Sequence, residues 1–496
     1  MPEHYDLIIR GGTVYDGSGA PGVRADVGVQ SETIATVGDL AEAPGGEEVD
    51  ASGQAVVPGF IDVHSHDDTL VLVEPDVVGK TMQGVTTVVV GNCGSGVVPY
   101  ENARNGLLRA LDVPDDFPTW SSYPKYLDAI DNNRPSLNVA ALVGHGTLRT
   151  GAMGGASEKR APSAGELAQM RAWLAEGLEG GAVGVSTGLI YEPGRYTETE
   201  ELIAVAKECG RLGGLYASHI RGEGETLLDA VAEAIRIGEE AGCAVQISHH
   251  KVTGEANWGR VTESLALISE ARSRGLDVTV DQYPYIASST GLAAIAMNAR
   301  EGTGSAMTGE GIFIASAPGT PDHEGKYLSQ IADELDLPLD DAVDKLLDQN
   351  ERAVTVVMFG MYEADVRTVM RHELTMIGTD GLGWGSRPRP RHFGTYPRIL
   401  EKYVREEGVI TLESAIHKIS GMPAEKFLLT DRGFVREGLS ADLVVFDPSR
   451  ITDRATYEDP RNAPTGMPHV IVNGVAVVRD GEHTHARSGR ALRRGE

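Results

Sequence analysis

The chain has 496 residues, 41% of them hydrophobic and 23% charged, an ordinary globular composition that excludes wholesale disorder. Its 72 acidic residues against 44 basic ones leave a formal charge of -28, which repels nucleic acid and anionic membranes, so neither is an expected partner. Three cysteines without paired spacing, Cys93, Cys209 and Cys243, argue against a disulfide framework and for a reducing compartment.

The opening segment, YDLIIRGGTVYDG and ADVGVQSETIATVGD, holds short β-rich runs broken by glycine pairs, the pattern of hairpins. It has neither the basic start nor the apolar stretch of a secretory signal, and no window offers about 18 uncharged apolar residues, so a soluble cytoplasmic protein is expected. Similar runs return at the far end as ADLVVFDP and HVIVNGVAVVRDG. Residues 1–57 and 427–496 are therefore expected to form one small β-sandwich domain built from both chain ends.

Between them, eight β-branched runs alternate with helical patterns: VVPGFIDVHSH, TTVVVGNC, NVAALVGH, AVGVSTGL, GLYASHI, AVQISHH, LDVTVDQYPY and LTMIGTD. That alternation predicts an α/β fold, a closed (β/α)8 TIM barrel over 58–426. AGELAQMRAWLAEGLEGG, TLLDAVAEAIRIGEEAG and VTESLALISEARSRG read as amphipathic helices stopped by glycine. The stretch from about 287 to 350, between the seventh and eighth strands, is too long for a connection and is expected to be an inserted subdomain.

In this fold the strand ends converge on one mouth. The first run ends with His64 and His66, whose spacing places both imidazoles on one face of an extended chain, although an isolated H-x-H is equally at home in a polar loop. The second ends at Cys93, the fifth at His219 and the sixth at His249, followed by His250 and Lys251. Thiolate and imidazole suit zinc; a free cysteine is more often a small buried hydrophobe, a reading that fits Cys209 and Cys243 better than Cys93. The eighth run ends at Asp380, a candidate general base, with an Asp-Gly turn as the alternative. In QISHHK only one of His249 and His250 can face the mouth, because adjacent strand residues point to opposite faces.

The set PGFIDVHSHDD, VVVGNCGSG, VGHGTLR, GVSTGLIYEPG, YASHIRGEG, QISHHK, DQYPY, GTDG, PRHFGTYPR, GLSADLVVFDP and GEHTHARSGR resembles the amidohydrolase superfamily. Within it, the chain resembles the D-aminoacylase or N-acyl-D-amino-acid deacylase family over nearly its whole length. The resemblance implies Zn²⁺ held tightly by Cys93, His219 and His249, a second, weaker site at His64 and His66, and Asp380 as general acid/base. It also implies that Lys251, Tyr191, Tyr283 and Arg391 bind the carboxylate of a small-molecule N-acyl amino acid. The fourth strand ends VSTGL, without the lysine that bridges two metals in most binuclear relatives, which argues against the cyclic-amide branch and makes Cys93 its natural replacement.

The implied activity is hydrolysis of the amide bond of N-acyl-D-amino acids, with the D preference resting on the resemblance alone. A dipeptidase or a deaminase on the same scaffold is the alternative. A silent scaffold barrel is a further alternative from another class, and it should have lost several ligands, whereas every expected ligand is present. The segment ASSTGLAAIAM after the seventh run holds no cation, so hydrophobic amino acids are expected over acidic ones. Arg387 and Arg389 of SRPRPRHFG read as a solvated Arg-Pro loop, and His145 has no derivable role.

Overall fold

The computed structural model describes residues 4–101, 117–156, 158–300, 309–383 and 388–495. Its first five strands are β1 (Tyr5–Val14), β2 (Val23–Gln30), β3 (Thr33–Gly38), β4 (Gly45–Asp50) and β5 (Ala55–Pro58). The barrel strands follow: β6 (Phe60–Asp62), β7 (Val85–Val90), β8 (Asn138–Gly144), β9 (Gly184–Gly188), β10 (Leu215–His219), β11 (Ala244–Ile247) and β12 (Val278–Gln282). An excursion carries β13 (Ala287–Gly291), β14 (Ile312–Ser316) and β15 (Thr355–Phe359) before β16 (Thr375–Ile377) completes the barrel. The last strands are β17 (Leu443–Phe446), β18 (His469–Val472), β19 (Val475–Arg479) and β20 (Glu482–His483).

The eight barrel strands run parallel in the order β6 to β12 and then β16. Ladder pairing is absent between β16 and β6; the seam closes on one bridge, Ser65 to Gly381, and on the Asp380 amide donating to the His64 carbonyl at 2.8 Å. The run VVPGFIDVHSH, expected as one strand, is two. Gly59 divides it: a Cβ there would sit 2.1 Å from Thr86 Oγ1, so the chain can press against β7 and turn into the barrel only without a side chain.

Helices wrap the barrel where the apolar periodicity predicts them. Ala164–Glu179 starts at a reciprocal capping box between Ser163 and Glu166, and Leu227–Ala241 stops at Gly242 with φ 68°. Nine strands from both flanks of the barrel form one sheet, in which β5 lies between β1 and β17. Its alternation sorts two faces: Val56, Leu443 and Val445 join a core shared by the sheet's own halves, while Val57, Val444 and Phe446 join the barrel's core.

The excursion has a core of its own. Its three-stranded sheet, ordered β13-β15-β14, packs with helices Leu328–Leu335 and Leu339–Gln349 around Ile314, Ile331, Leu346 and Val356. It extends past Asn350 to Phe359, because β15 supplies the middle strand.

Candidate metal centre

Donor-bearing side chains come from the carboxyl ends of the barrel strands. Cys93 Sγ lies 3.4 Å from His64 Nε2, 3.6 Å from His219 Nδ1 and 3.6 Å from His249 Nε2; those last two nitrogens are 2.8 Å apart. His66 Nε2 is 3.2 Å from Asp380 Oδ1, which is also 3.8 Å from His64 Nε2. Two groups whose donor atoms all fall within 4.8 Å, His64-Cys93-His249 and His64-His66-Asp380, thus share His64. His250, by contrast, turns outward to Ser264 Oγ at 2.9 Å.

Three of these residues hold a backbone that L side chains avoid. Cys93 has φ 53°, His249 φ 36° and Asp380 φ 45°. Strain of this kind persists where the surroundings over-determine it, and it clusters at functional sites.

Carboxylates that the sequence reading passed over orient the imidazoles. His64 Nδ1 lies 3.1 Å from Asp281 Oδ1; a carboxylate only accepts, so Nδ1 carries a proton and Nε2 is the nitrogen that faces Cys93. The same oxygen takes the His249 amide at 2.7 Å, and Gln246 holds the other oxygen at 2.7 Å. Glu223 Oε1 lies 3.1 Å from His249 Nδ1 and accepts from Lys251 Nζ at 2.5 Å. Glu223, four residues after His219, was detectable as a carboxylate just past a histidine-bearing strand end. Asp281, inside β12, gave no such signal.

Burial alone would raise the Cys93 thiol, but the charge of His64 and the hydrogen bonds of His219 and His249 outweigh it and hold the group well below the ordinary thiol range. Burial would also raise Asp380; Arg391, His66, His64 and Arg389 overcome that and keep it an ionised carboxylate. His64 Nε2, His219 Nδ1 and His249 Nε2 thus surround the Cys93 sulfur within 3.6 Å, while His219 Nε2 is turned toward Glu223 at 3.9 Å. A donor set of this kind fits a soft or borderline divalent cation such as zinc.

Of the four residues expected around a substrate carboxylate, Lys251, Tyr283 and Arg391 come together, and Tyr191 stands apart against His219. Arg391 stacks 4.2 Å from the Tyr283 ring centroid and Lys251 Nζ lies 5.7 Å from it, while the Tyr191 ring is 5.0 Å from that of His219. All four already have partners. Arg391 Nη2 donates to Asp380 Oδ2 at 2.6 Å and its Nε to the Asp380 carbonyl at 2.8 Å; Tyr191 Oη accepts from Thr290 at 3.1 Å.

Arg389 corrects the expectation of a solvated loop. It is buried, donates to the Asp380 carbonyl at 3.0 Å and lies 3.6 Å from Asp380 Oδ1; the Asp380 charge and carbonyl draw it in, and its Nε has no partner. Arg387 lies outside the described residues. His145 is buried against Glu201 at 3.1 Å, which also holds Arg149.

Lys80 also escaped the sequence reading. Fully buried behind the centre, it donates to Asp62 Oδ2 at 2.5 Å and Thr379 Oγ1 at 2.6 Å, and lies 3.4 Å from Asp67. A separate donor group, Asp76-His483-His485, sits at the surface. There His483 Nδ1 accepts from the His485 amide at 3.1 Å, which puts the ring proton on Nε2 and withholds that nitrogen from a metal.

The model of the amidohydrolase family matches residues 47–340 and 262–478. The chain is 42% identical to the N-acyl-D-glutamate deacylase of Alcaligenes xylosoxydans xylosoxydans, over 100% of this chain and 98% of that one. It is 40% identical to the D-aminoacylase of the same organism, over 99% and 98%. It also superposes, with a TM-score of 0.90 at 39% identity, on the crystal structure of the N-acyl-D-glutamate deacylase of Bordetella bronchiseptica, covering 99% of this chain and 100% of that one. That structure holds zinc and a phosphonate inhibitor that mimics the tetrahedral intermediate.

Proposed function

The chain belongs to the amidohydrolase family, and from that premise we propose that it is a zinc-dependent hydrolase of the amide bond in N-acyl-D-amino acids. The observation that carries the reading is the buried Cys93 thiolate ringed by His64, His219 and His249, with the Asp380 carboxylate beside it. Full-length relatives named D-aminoacylase and N-acyl-D-glutamate deacylase support the substrate class and the D configuration.

In this reading Cys93, His219 and His249 hold the tightly bound ion, and His64 with His66 a second, weaker one. When bound, zinc supplies Lewis acidity, polarising the acyl carbonyl and acidifying a water. Asp380, ionised and set beside His64 and His66, takes the proton of the attacking water. As the C–N bond breaks it returns that proton to the leaving nitrogen, so the products are a carboxylic acid and a free amino acid. Asp281 and Glu223 keep the ring protons of His64 and His249 turned away from the centre.

Arg391, Lys251, Tyr283 and Tyr191 receive the substrate carboxylate, since an anion leaves water only where it is paired. Arg391 then shares its guanidinium between that carboxylate and Asp380, which ties substrate binding to the position of the base. The amino-acid side chain is proposed to be uncharged, because residues 287–297, which follow the seventh barrel strand, supply no cation to pair with an acidic one. Arg389, whose Nε has no hydrogen-bond partner among the described residues, is a cation that could reverse this; faster turnover of N-acetyl-D-glutamate than of N-acetyl-D-leucine would assign the side chain to it.

Two measurements test the whole reading. Hydrolysis of N-acetyl-D-amino acids, their L enantiomers and dipeptides should be confined mainly to the D series, and activity only on L substrates would sink it. Metal analysis should find stoichiometric zinc in the wild type, none in Cys93→Ala, and one ion with damaged activity in His64→Ala.

A further inference from the structure

A groove of about 250 Å³ opens beside Cys93, and neither Lys251, Tyr283 nor Arg391 lines it. Three of the four carboxylate-binding candidates, Lys251, Tyr283 and Arg391, follow the sixth, seventh and eighth barrel strands, β11, β12 and β16, and Tyr191, after β9, stands between them and the groove. The groove is walled by segments after the second, third and fourth, β7, β8 and β9: Gly94, Ser95, Gly146, Thr150, Gly188 and Tyr191. In a closed eight-stranded barrel the third strand lies across from the seventh. A linear N-acyl amino acid with its carbonyl at the centre and its carboxylate toward the seventh strand must therefore send its acyl chain into this groove.

The walls say what chain fits. Thr150 Oγ1 donates to the Gly146 carbonyl at 2.8 Å and Thr147 Oγ1 accepts the Gly96 amide at 2.9 Å, which spends both hydroxyls on the wall. Among the described residues no lysine or arginine lines the groove, and Glu192, exposed at its rim, brings a negative charge. The glycines keep it open: a Cβ on Gly188 would lie 2.1 Å from the Cys93 carbonyl, and one on Gly146 would lie 2.9 Å from that of Gly94. Its volume is just under the range of about 300–1,000 Å³ typical of whole-ligand pockets, a size for part of a ligand and more than an acetyl group needs.

Resting on the N-acyl-amino-acid reading above, we propose that this groove is the acyl subsite and that it takes an uncharged aliphatic chain of several carbons. The test compares N-acetyl, N-hexanoyl and N-succinyl derivatives of one D-amino acid. The expected kcat/KM is about tenfold higher for hexanoyl than for acetyl, from methylenes taken out of water, and lower for succinyl, whose second carboxylate meets Glu192 and no cation. Calorimetry on Asp380→Asn should show hexanoyl binding tighter than acetyl by a similar factor.

Thr150→Trp should bring the hexanoyl-to-acetyl ratio down toward one, and Thr150→Val should keep it. A hexanoyl derivative turned over no faster than the acetyl one, or a succinyl derivative preferred to both, overturns the subsite while leaving the deacylase reading standing. Hydrolysis of no N-acyl derivative overturns both.

Discussion

The three left-handed residues set donor chemistry against backbone preference. A non-glycine residue in that conformation costs roughly 1–2 kcal/mol, and glycine avoids most of it. In metal-stripped protein, Cys93→Gly is therefore expected to melt higher than Cys93→Ala by the equivalent of about 1 kcal/mol, with neither variant holding zinc. Equal melting temperatures would mean that the φ of 53° at Cys93 carries no strain. Asp281→Asn tests the orienting carboxylate: zinc affinity or activity should fall by about 10- to 100-fold at an unchanged fold, as loss of a ligand's supporting hydrogen bond does. The proposed ligands were legible because a barrel delivers its strand ends to one place. Asp281 and Lys80 were not, since a carboxylate or lysine inside the fold names its partner only once strands are registered, whereas Glu223 left a signal in its place four residues past His219. Arg389 misled for the same reason: an Arg-Pro run reads as solvent-facing until Asp380 is seen to draw it in.

At the scale of elements, the barrel seam is its sparsest joint. The two strands that meet there, β6 and β16, run for three residues each, and they carry His64, His66 and Asp380 just beyond their ends. Lys80 compensates: it reaches Asp62 on β6 and Thr379 just beyond β16 from a fully buried position, and Asp62 in turn takes the Thr379 amide at 2.8 Å. Lys80→Met should leave Asp62 and Asp67 buried without their cation and cost about 3–5 kcal/mol, read as a large drop in melting temperature. The double variant Lys80→Met with Asp62→Asn should recover part of the loss. Eight strands and their helices were readable from periodicity, but the sparse seam was not, because the first run looks continuous until Gly59 is seen against Thr86.

For the whole molecule, an acidic surface surrounds a site that gathers cations. The formal charge is -28, yet Lys251, Arg389 and Arg391 are buried around Asp380 and Tyr283. Attraction of an anionic substrate is thus local, and the Michaelis constant should change only weakly between low and moderate salt, since buried charges are screened little. A steep rise of the Michaelis constant with salt would point to long-range steering instead. Among the described residues no helix is long and apolar enough to cross a membrane.

The interleaving of β5 between β1 and β17 has a consequence for the chain's birth. Translation delivers β1 to β5 hundreds of residues before the strand that completes their sheet, so this sheet is assembled only after the barrel's last strand has been synthesised. Ribosome-bound chains arrested just before Leu443 should expose Tyr5–Pro58 to proteases, and chains extended past Arg479 should protect it. Early protection in the arrested chains would mean that β1 to β5 are stable by themselves.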